Sequence, residues 1–353
     1  METKKWIFFL HNFIEPNHYA IGECISEMIS NGVQYTFVCK RILSNSISER
    51  FLDFPKIKLT DVPASESFWQ KYDGVHVIYD GKPSLAICAL AFVYDVPYVI
   101  SFHGGYDTNE KIYHKDVSEK TIWLCNHASA VSVVCMKDKQ TLIKLGVSAE
   151  KIRIVAPPIN RSLIMQVANL PTDKYRISVV GRLIPKKGIE YAIKALKELP
   201  QEYSLDIIGD GELFDDLKRL SVELGVQKRI VWHGQLPLDE TLRIVGGNLI
   251  FWHPSIIADD GNADGIPQII LYAMALKRFV VASDESHIGE LLQSGVNGYI
   301  CEARNALSLA ETTLSNVYSC NEVCNNASAV VQNFCLDTQK SIYKNIYKIG
   351  GEL

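Results

Sequence analysis

Short apolar runs rich in β-branched and aromatic residues recur along the chain, separated by amphipathic stretches of helical length. In the first half the runs are 6–10, 35–40, 74–80, 97–103, 130–135 and 151–157. In the second half they are 176–181, 204–211, 229–234, 248–255, 279–283 and 298–303. Between them, 20–31, 84–94, 137–145, 188–199, 212–224, 266–276 and 305–317 repeat apolar residues at helical spacing. The short runs lack strict alternation, which suits strands buried on both faces. Strand and helix in alternation predict α/β architecture with parallel sheets between layers of helices. The pattern restarts in the second half, so two doubly wound, Rossmann-like domains are expected, at 1–165 and 166–335. A final amphipathic helix within 336–353 is expected to pack back toward the first domain. The junction is placed in the stretch from Ala156-Pro157-Pro158 to Pro171, which has prolines at both ends. Open α/β sheets bind ligands beyond the carboxyl ends of their strands. Residues just after strands are therefore the candidates, facing a cleft between the domains.

A length of 353 residues suits two domains. With 47% apolar and 22% charged residues the chain reads as a soluble globular protein. A net charge of -4 argues against a dedicated nucleic-acid binder. The nine cysteines are scattered, and neither they nor the histidines form a spaced metal-ligand set. Free thiols in apolar runs point to a reducing cytoplasm. The first apolar run, Trp6 to Leu10, is broken by His11 and Asn12, so it reads as a strand and not a signal peptide. The longest run, Leu85 to Tyr94, is too short to span a bilayer.

Four strand-end segments could carry chemistry. Gly181-Arg182-Leu183-Ile184-Pro185-Lys186-Lys187-Gly188 follows a strand and precedes a helix. Arg182 offers a fork of donors and Lys187 a point charge, a combination suited to a diphosphate. A solvated basic loop would read the same way. Gly209-Asp210-Gly211-Glu212 is a second strand-end turn, and taken singly only a turn. In Pro254 to Pro267 a helix is expected to begin near Ile266 or Pro267. Its free amides could bind an anion or sugar hydroxyls, with Asp264 beside them as an acceptor. Asp259 and Asp260 read as helix caps. His103, after the strand 97–103, could hydrogen-bond a substrate or share a proton; a structural role is the alternative. The remaining histidines read as structural, His253 least clearly.

Together these segments resemble the family 4 glycosyltransferases, retaining enzymes of the GT-B fold. The resemblance rests on the order of Gly-Arg-Leu…Lys-Gly at 181–188, Gly209-Asp210-Gly211, Val231-Trp232-His233-Gly234, Pro254-Ser255, Asp-Gly-Asn-Ala-Asp-Gly-Ile-Pro at 260–267, Ala273-Met274-Ala275 and Asn297-Gly298. It is strong over about 176–303. In the first half it rests on Phe102-His103-Gly104 and the general layout. The 260–267 stretch is most similar to the subgroup that builds bacterial exopolysaccharides of the colanic acid and amylovoran type.

The resemblance implies that Arg182 and Lys187 hold the diphosphate of a UDP- or GDP-linked sugar and stabilise the leaving group. It places His103 near the sugar, Gly181, Gly209, Gly265, Ile266 and Pro267 around the donor, and Tyr272 and Glu290 near the nucleotide, where the Tyr272 phenol could bond one ribose hydroxyl or stack. It implies a hexose transferred with retention to a glycan or lipid-linked glycan acceptor, with no metal ion and no separate cofactor. It also implies a cytoplasmic location and leaves peripheral contact with the inner membrane face open.

Several positions depart from the family pattern. Its two glutamates, eight positions apart, are Asp264 and Tyr272 here. Asp264 keeps the charge but is one methylene shorter, and Tyr272 offers a single phenol oxygen. The Gly and Pro after Ala-Met-Ala are Lys277 and Phe279, and the Gly-Ile-Pro-Glu stretch reads His287-Ile288-Gly289-Glu290. The first strand-to-helix turn, 15–22, has one glycine in place of a pair. These changes on the nucleotide side keep a second reading open, a non-catalytic GT-B subunit that stabilises a partner transferase. A nicotinamide-dependent dehydrogenase is excluded by the lack of G-x-G-x-x-G after the first strand.

Overall fold

The computed structural model describes residues 3–12, 32–41, 54–79, 81–103, 115–259, 261, 263–285 and 287–347. The one-glycine turn at 15–22, the expected helix 20–31, Gly104, Asp260 and Asn262 lie outside the described residues. The chain forms two compact units, Met1–Pro158 with Leu336–Leu353, and Ile159–Cys335.

In the first unit the strands are β1 (Lys4–Asn12), β2 (Val33–Arg41), β3 (Lys56–Lys58), β4 (Gly74–Ile78), β5 (Tyr98–Ser101), β6 (Ala130–Val133) and β7 (Ile152–Ile154). They form a parallel sheet in the order β3-β2-β1-β4-β5-β6-β7. Helices α1 (Glu66–Trp69), α2 (Lys82–Val93), α3 (Lys115–His127) and α4 (Met136–Lys144) connect them.

The second unit opens with α5 (Arg161–Val167). Then follow β8 (Asp173–Val180), α6 (Ile189–Glu198), β9 (Ser204–Ile208), α7 (Phe214–Glu223), β10 (Ile230–Gly234), α8 (Leu238–Gly247) and β11 (Asn248–His253). The unit ends with α9 (Gln268–Ala275), β12 (Phe279–Ser283), β13 (Tyr299–Cys301), α10 (Ala306–Asn316) and α11 (Asn321–Val330). Its parallel sheet runs β10-β9-β8-β11-β12-β13. Numbered from its own first strand, this is the doubly wound order 3-2-1-4-5-6, and the first unit repeats it with one strand more.

The non-alternating runs are explained by burial on both faces. Ile250 and Trp252 of β11 enter one core, with Ile177, Val179 and the α6 residues Ile193 and Leu196. Phe251, between them, enters the other, with Ile270, Leu271 and Met274 of α9.

The sequence puts the boundary at 165/166, but the contacts divide the chain at Pro158/Ile159. The N–H of Ile159 donates to the Phe334 carbonyl at 2.9 Å. Residues 161–167 form a helix capped by Asn160, whose side chain accepts from the Ser162 N–H at 2.9 Å.

The last helix, α12 (Leu336–Tyr347), belongs to the first unit. Tyr343, Ile346 and Tyr347 are buried with Trp6, Phe8 and Tyr35. The Tyr347 hydroxyl bonds His76 Nδ1, His76 Nε2 bonds the Ser101 hydroxyl at 2.6 Å, and Ser101 bonds Ser132. Burial, aided by the charge of His103, pushes the His76 imidazole down to about 3, so it is neutral at neutral pH. Among the described residues, no helix is long and apolar enough to cross a membrane.

Candidate active site

In a doubly wound sheet the ligand crevice lies where the strand order reverses, beyond the carboxyl ends of the two strands there. In the second unit those strands are β8 and β11. The segments that follow them are Gly181–Gly188 and Pro254–Pro267, the two richest in candidate residues.

The loop after β8 is tied to its neighbours by backbone hydrogen bonds. Gly181 N–H donates to the Ile208 carbonyl at 3.0 Å, Leu183 N–H to Asp210 at 2.9 Å, and Ile256 N–H to Lys186 at 2.8 Å. Leu183 is fully buried and anchors the loop in the core. Pro185–Lys187 form one 3-10 turn, and α6 begins at Ile189. Two glycines permit the close packing. A Cβ on Gly188 would stand 2.0 Å from the Pro254 carbonyl oxygen, and one on Gly209 would stand 1.9 Å from that of Gly181. At Gly181 the missing side chain leaves room for the Lys187 stem, whose Cδ would be 3.1 Å from an added Cβ.

Asp264 is the electrostatic centre of the site. Its Oδ2 accepts from Lys187 Nζ at 2.7 Å and from the Ser255 hydroxyl at 2.9 Å, and Lys186 Nζ lies 3.2 Å from Oδ1. His253 Nε2 stands 3.3 Å from Oδ2 without the alignment of a hydrogen bond. Burial alone would raise the Asp264 carboxyl. Lys187, the His253 contact and Lys186 outweigh it and hold the group well below the usual carboxylate range. Burial lowers Lys186 against the opposing pull of Asp264, and it also lowers His253. The result is a buried carboxylate and two ammonium groups at one strand end, with the exposed guanidinium-bearing Arg182 on the same loop. The helix α9 starts at Gln268, directly after Gly265-Ile266-Pro267. Pro267 is its N-cap and makes no side-chain cap bond. Such a helix start carries partial positive charge. The cluster can take a polyanion.

The structure thus brings together Gly181, Lys187, Gly209 and Asp264, with Arg182 on the same loop and Gly265, Ile266 and Pro267 in the chain that follows Asp264. It adds Lys186, Ser255 and His253, which sequence reasoning did not select for the site. His253 was marked as uncertain, but nothing in the spacing shows that the second lysine also turns toward Asp264. Tyr272, expected near the nucleotide, lies on α9. It is fully buried in the core, and its hydroxyl accepts the Asn160 N–H at 3.0 Å. That core position is set by α9, which packs its apolar residues under the sheet. Glu290 is exposed in a 3-10 turn after β12, two strands from β8. His103 follows β5 in the first unit and is half-buried.

Residues 160–329 match the family described as glycosyl transferases group 1, and residues 23–163 match glycosyltransferase family 4. Both family models describe glycosyltransferases, and together they span residues 23–329. Over 177 residues it is 33% identical to the amylovoran biosynthesis glycosyltransferase AmsK of Erwinia amylovora, which is 49% of this chain and 44% of that protein. Over 174 residues it is 27% identical to the putative colanic acid biosynthesis glycosyltransferase WcaL of Escherichia coli, 48% and 43% of the two chains. The matches therefore span less than half the length of these two relatives. A solved structure of Anabaena Alr3699/HepE in complex with UDP and glucose is similar over 98% of this chain and 99% of its own. The TM-score is 0.79 at 18% identity. That likeness shows the fold, GT-B.

Two departures of this chain from the family pattern gain a physical reading. Lys277 has φ 58, the left-handed conformation that favours the family's glycine just past a helix. Phe279 is fully buried in β12 and fills the core.

Proposed function

We propose that the chain is a retaining glycosyltransferase that moves a hexose from a UDP- or GDP-linked sugar to a glycan or lipid-linked glycan, in bacterial surface polysaccharide synthesis. One observation carries this reading: Lys186 and Lys187 converge on Asp264 at the switch point of the second sheet. The names of AmsK and WcaL support the polysaccharide class, and the UDP and glucose bound by HepE support the donor class.

In the proposed reaction the bond between the anomeric carbon and the diphosphate oxygen breaks, and the diphosphate leaves with the electron pair. Arg182, Lys187 and the α9 N-terminus stabilise its growing charge, the role of preorganised cations and dipoles in transition-state stabilisation. The acceptor hydroxyl adds to the same face of the sugar and passes its proton to the leaving phosphate oxygen. The chain's own cations do the work a metal ion would do at the leaving group. On the resemblance alone, His103 is assigned to the sugar and Glu290 to the nucleotide.

Turnover of a nucleotide sugar by the purified chain tests this. Lys187→Ala and Arg182→Ala should each lose most of the activity, and a double variant that turns over near the wild-type rate would refute the assignment. The buried Tyr272, which puts a phenol where the family has a carboxylate, favours a second reading, a non-catalytic GT-B subunit. Activity of the isolated chain, with no transferase recovered alongside it from native cells, would remove that reading.

A further inference from the structure

Both oxygens of Asp264 face cationic or hydroxyl side chains inside the protein. Lys186 lies on Oδ1, while Lys187, Ser255 and the imidazole of His253 crowd Oδ2. The Ser255 carbonyl is itself held by the Ser283 hydroxyl. Of the about four lone-pair sites of an ionised carboxylate, Lys186, Lys187 and Ser255 occupy three, and the group is only 7% exposed.

We propose that Asp264 is a positioning residue: it fixes the ammonium groups of Lys186 and Lys187 at the carboxyl end of β8 for an incoming diphosphate. The identity of that anion rests on the donor reading above; the positioning itself does not. Two ammonium groups on adjacent residues repel, and their long side chains lose rotamer freedom when fixed. A buried carboxylate between them offsets the repulsion and orders both before the ligand arrives, which is preorganisation. His253, buried beside it, leaves the carboxylate's charge directed at the lysines.

The test has two readouts. The first is NMR of the lysine ammonium groups, which are visible when protected from exchange. Wild type should show two protected ammonium signals, assigned through Lys186→Met and Lys187→Met, and Asp264→Asn should lose both. Asp264→Glu should keep them. The second is affinity for UDP and for UDP-glucose. Asp264→Asn should weaken both by the same factor, about tenfold, as expected for a lost charge-assisted contact, and should have little effect in a Lys186→Met/Lys187→Met background. Retained ammonium signals in Asp264→Asn would overturn the proposal. So would unchanged UDP affinity with weakened UDP-glucose affinity, the mark of a sugar contact. If Asp264→Asn fails to fold, Ser255→Ala supplies the milder perturbation, with reduced ammonium protection expected and full protection contradicting the proposal. Wild type that binds neither nucleotide would overturn the donor reading, and the ammonium spectra would still decide the positioning role.

Discussion

Replacing Gly209 with alanine drives a methyl group into the end of β8. Gly209 has φ +141, and an added Cβ would stand 1.9 Å from the Gly181 carbonyl oxygen and 2.8 Å from its carbon. The backbone conformation alone costs a non-glycine residue about 1–3 kcal/mol. The overlap with main chain, which cannot swing away, adds about 1–3 kcal/mol. Alanine recovers about 0.4–1 kcal/mol by restricting the unfolded chain. The net loss should be about 1–5.6 kcal/mol. With a urea slope of about 2 kcal/mol/M, the midpoint falls by roughly 0.5–2.8 M. Gly295→Ala is the control: φ is +77, yet nothing lies within 4 Å of the added Cβ. It should cost only about 1 kcal/mol. Urea denaturation followed by tryptophan fluorescence measures both. If Gly209→Ala loses no more than Gly295→Ala, the close approach of the β8 and β9 ends does not hold, and with it the geometry that seats Lys187.

Lys277→Gly should stabilise the protein by about 1 kcal/mol, because it relieves a left-handed backbone at φ 58, and an unchanged denaturation midpoint would contradict that. Tyr272→Phe should cost about 1–3 kcal/mol by leaving the Asn160 N–H without its acceptor, yet leave nucleotide affinity unchanged; weaker nucleotide binding at full stability would place the phenol in the donor site. The unfolded chain protonates His76 near pH 6.5, while the folded protein resists until about pH 3. Stability should therefore fall with pH through that window, by about 1.4 kcal/mol per unit from this group. Denaturation midpoints of wild type and His76→Asn across pH 4–7 check this, and equal slopes would count against a neutral buried imidazole.

Long, doubly buried strands were legible because their apolar runs stand out on their own. β8, β11 and β12 are where the pattern puts them, although 204–211 and 248–255 run past the observed ends of β9 and β11. The excess is the turn chemistry of Gly209-Asp210-Gly211 and Pro254-Ser255, which apolar content alone does not separate from the strand. β3 is three residues, Lys-Ile-Lys, at a sheet edge, with too few positions for any period to register. α5 hid in a weakly patterned stretch because its order comes from the Asn160 cap and packing on the second unit.

In the site, Lys187 and Asp264 were legible as charged residues beside strand-end glycines. Lys186 was not, since adjacent lysines in a loop carry no period that says which turns inward. The side-chain direction of Tyr272 was not legible for a similar reason. The motif fixes its position on α9 but not the face of α9 that packs into the core.

The most direct test of the account is calorimetric titration of the purified chain with UDP and with GDP, repeated on Lys187→Ala. Wild type should bind one of the two, and Lys187→Ala should lose that binding. Wild type that binds neither nucleotide, or Lys187→Ala that binds as well as wild type, would contradict the donor-site assignment.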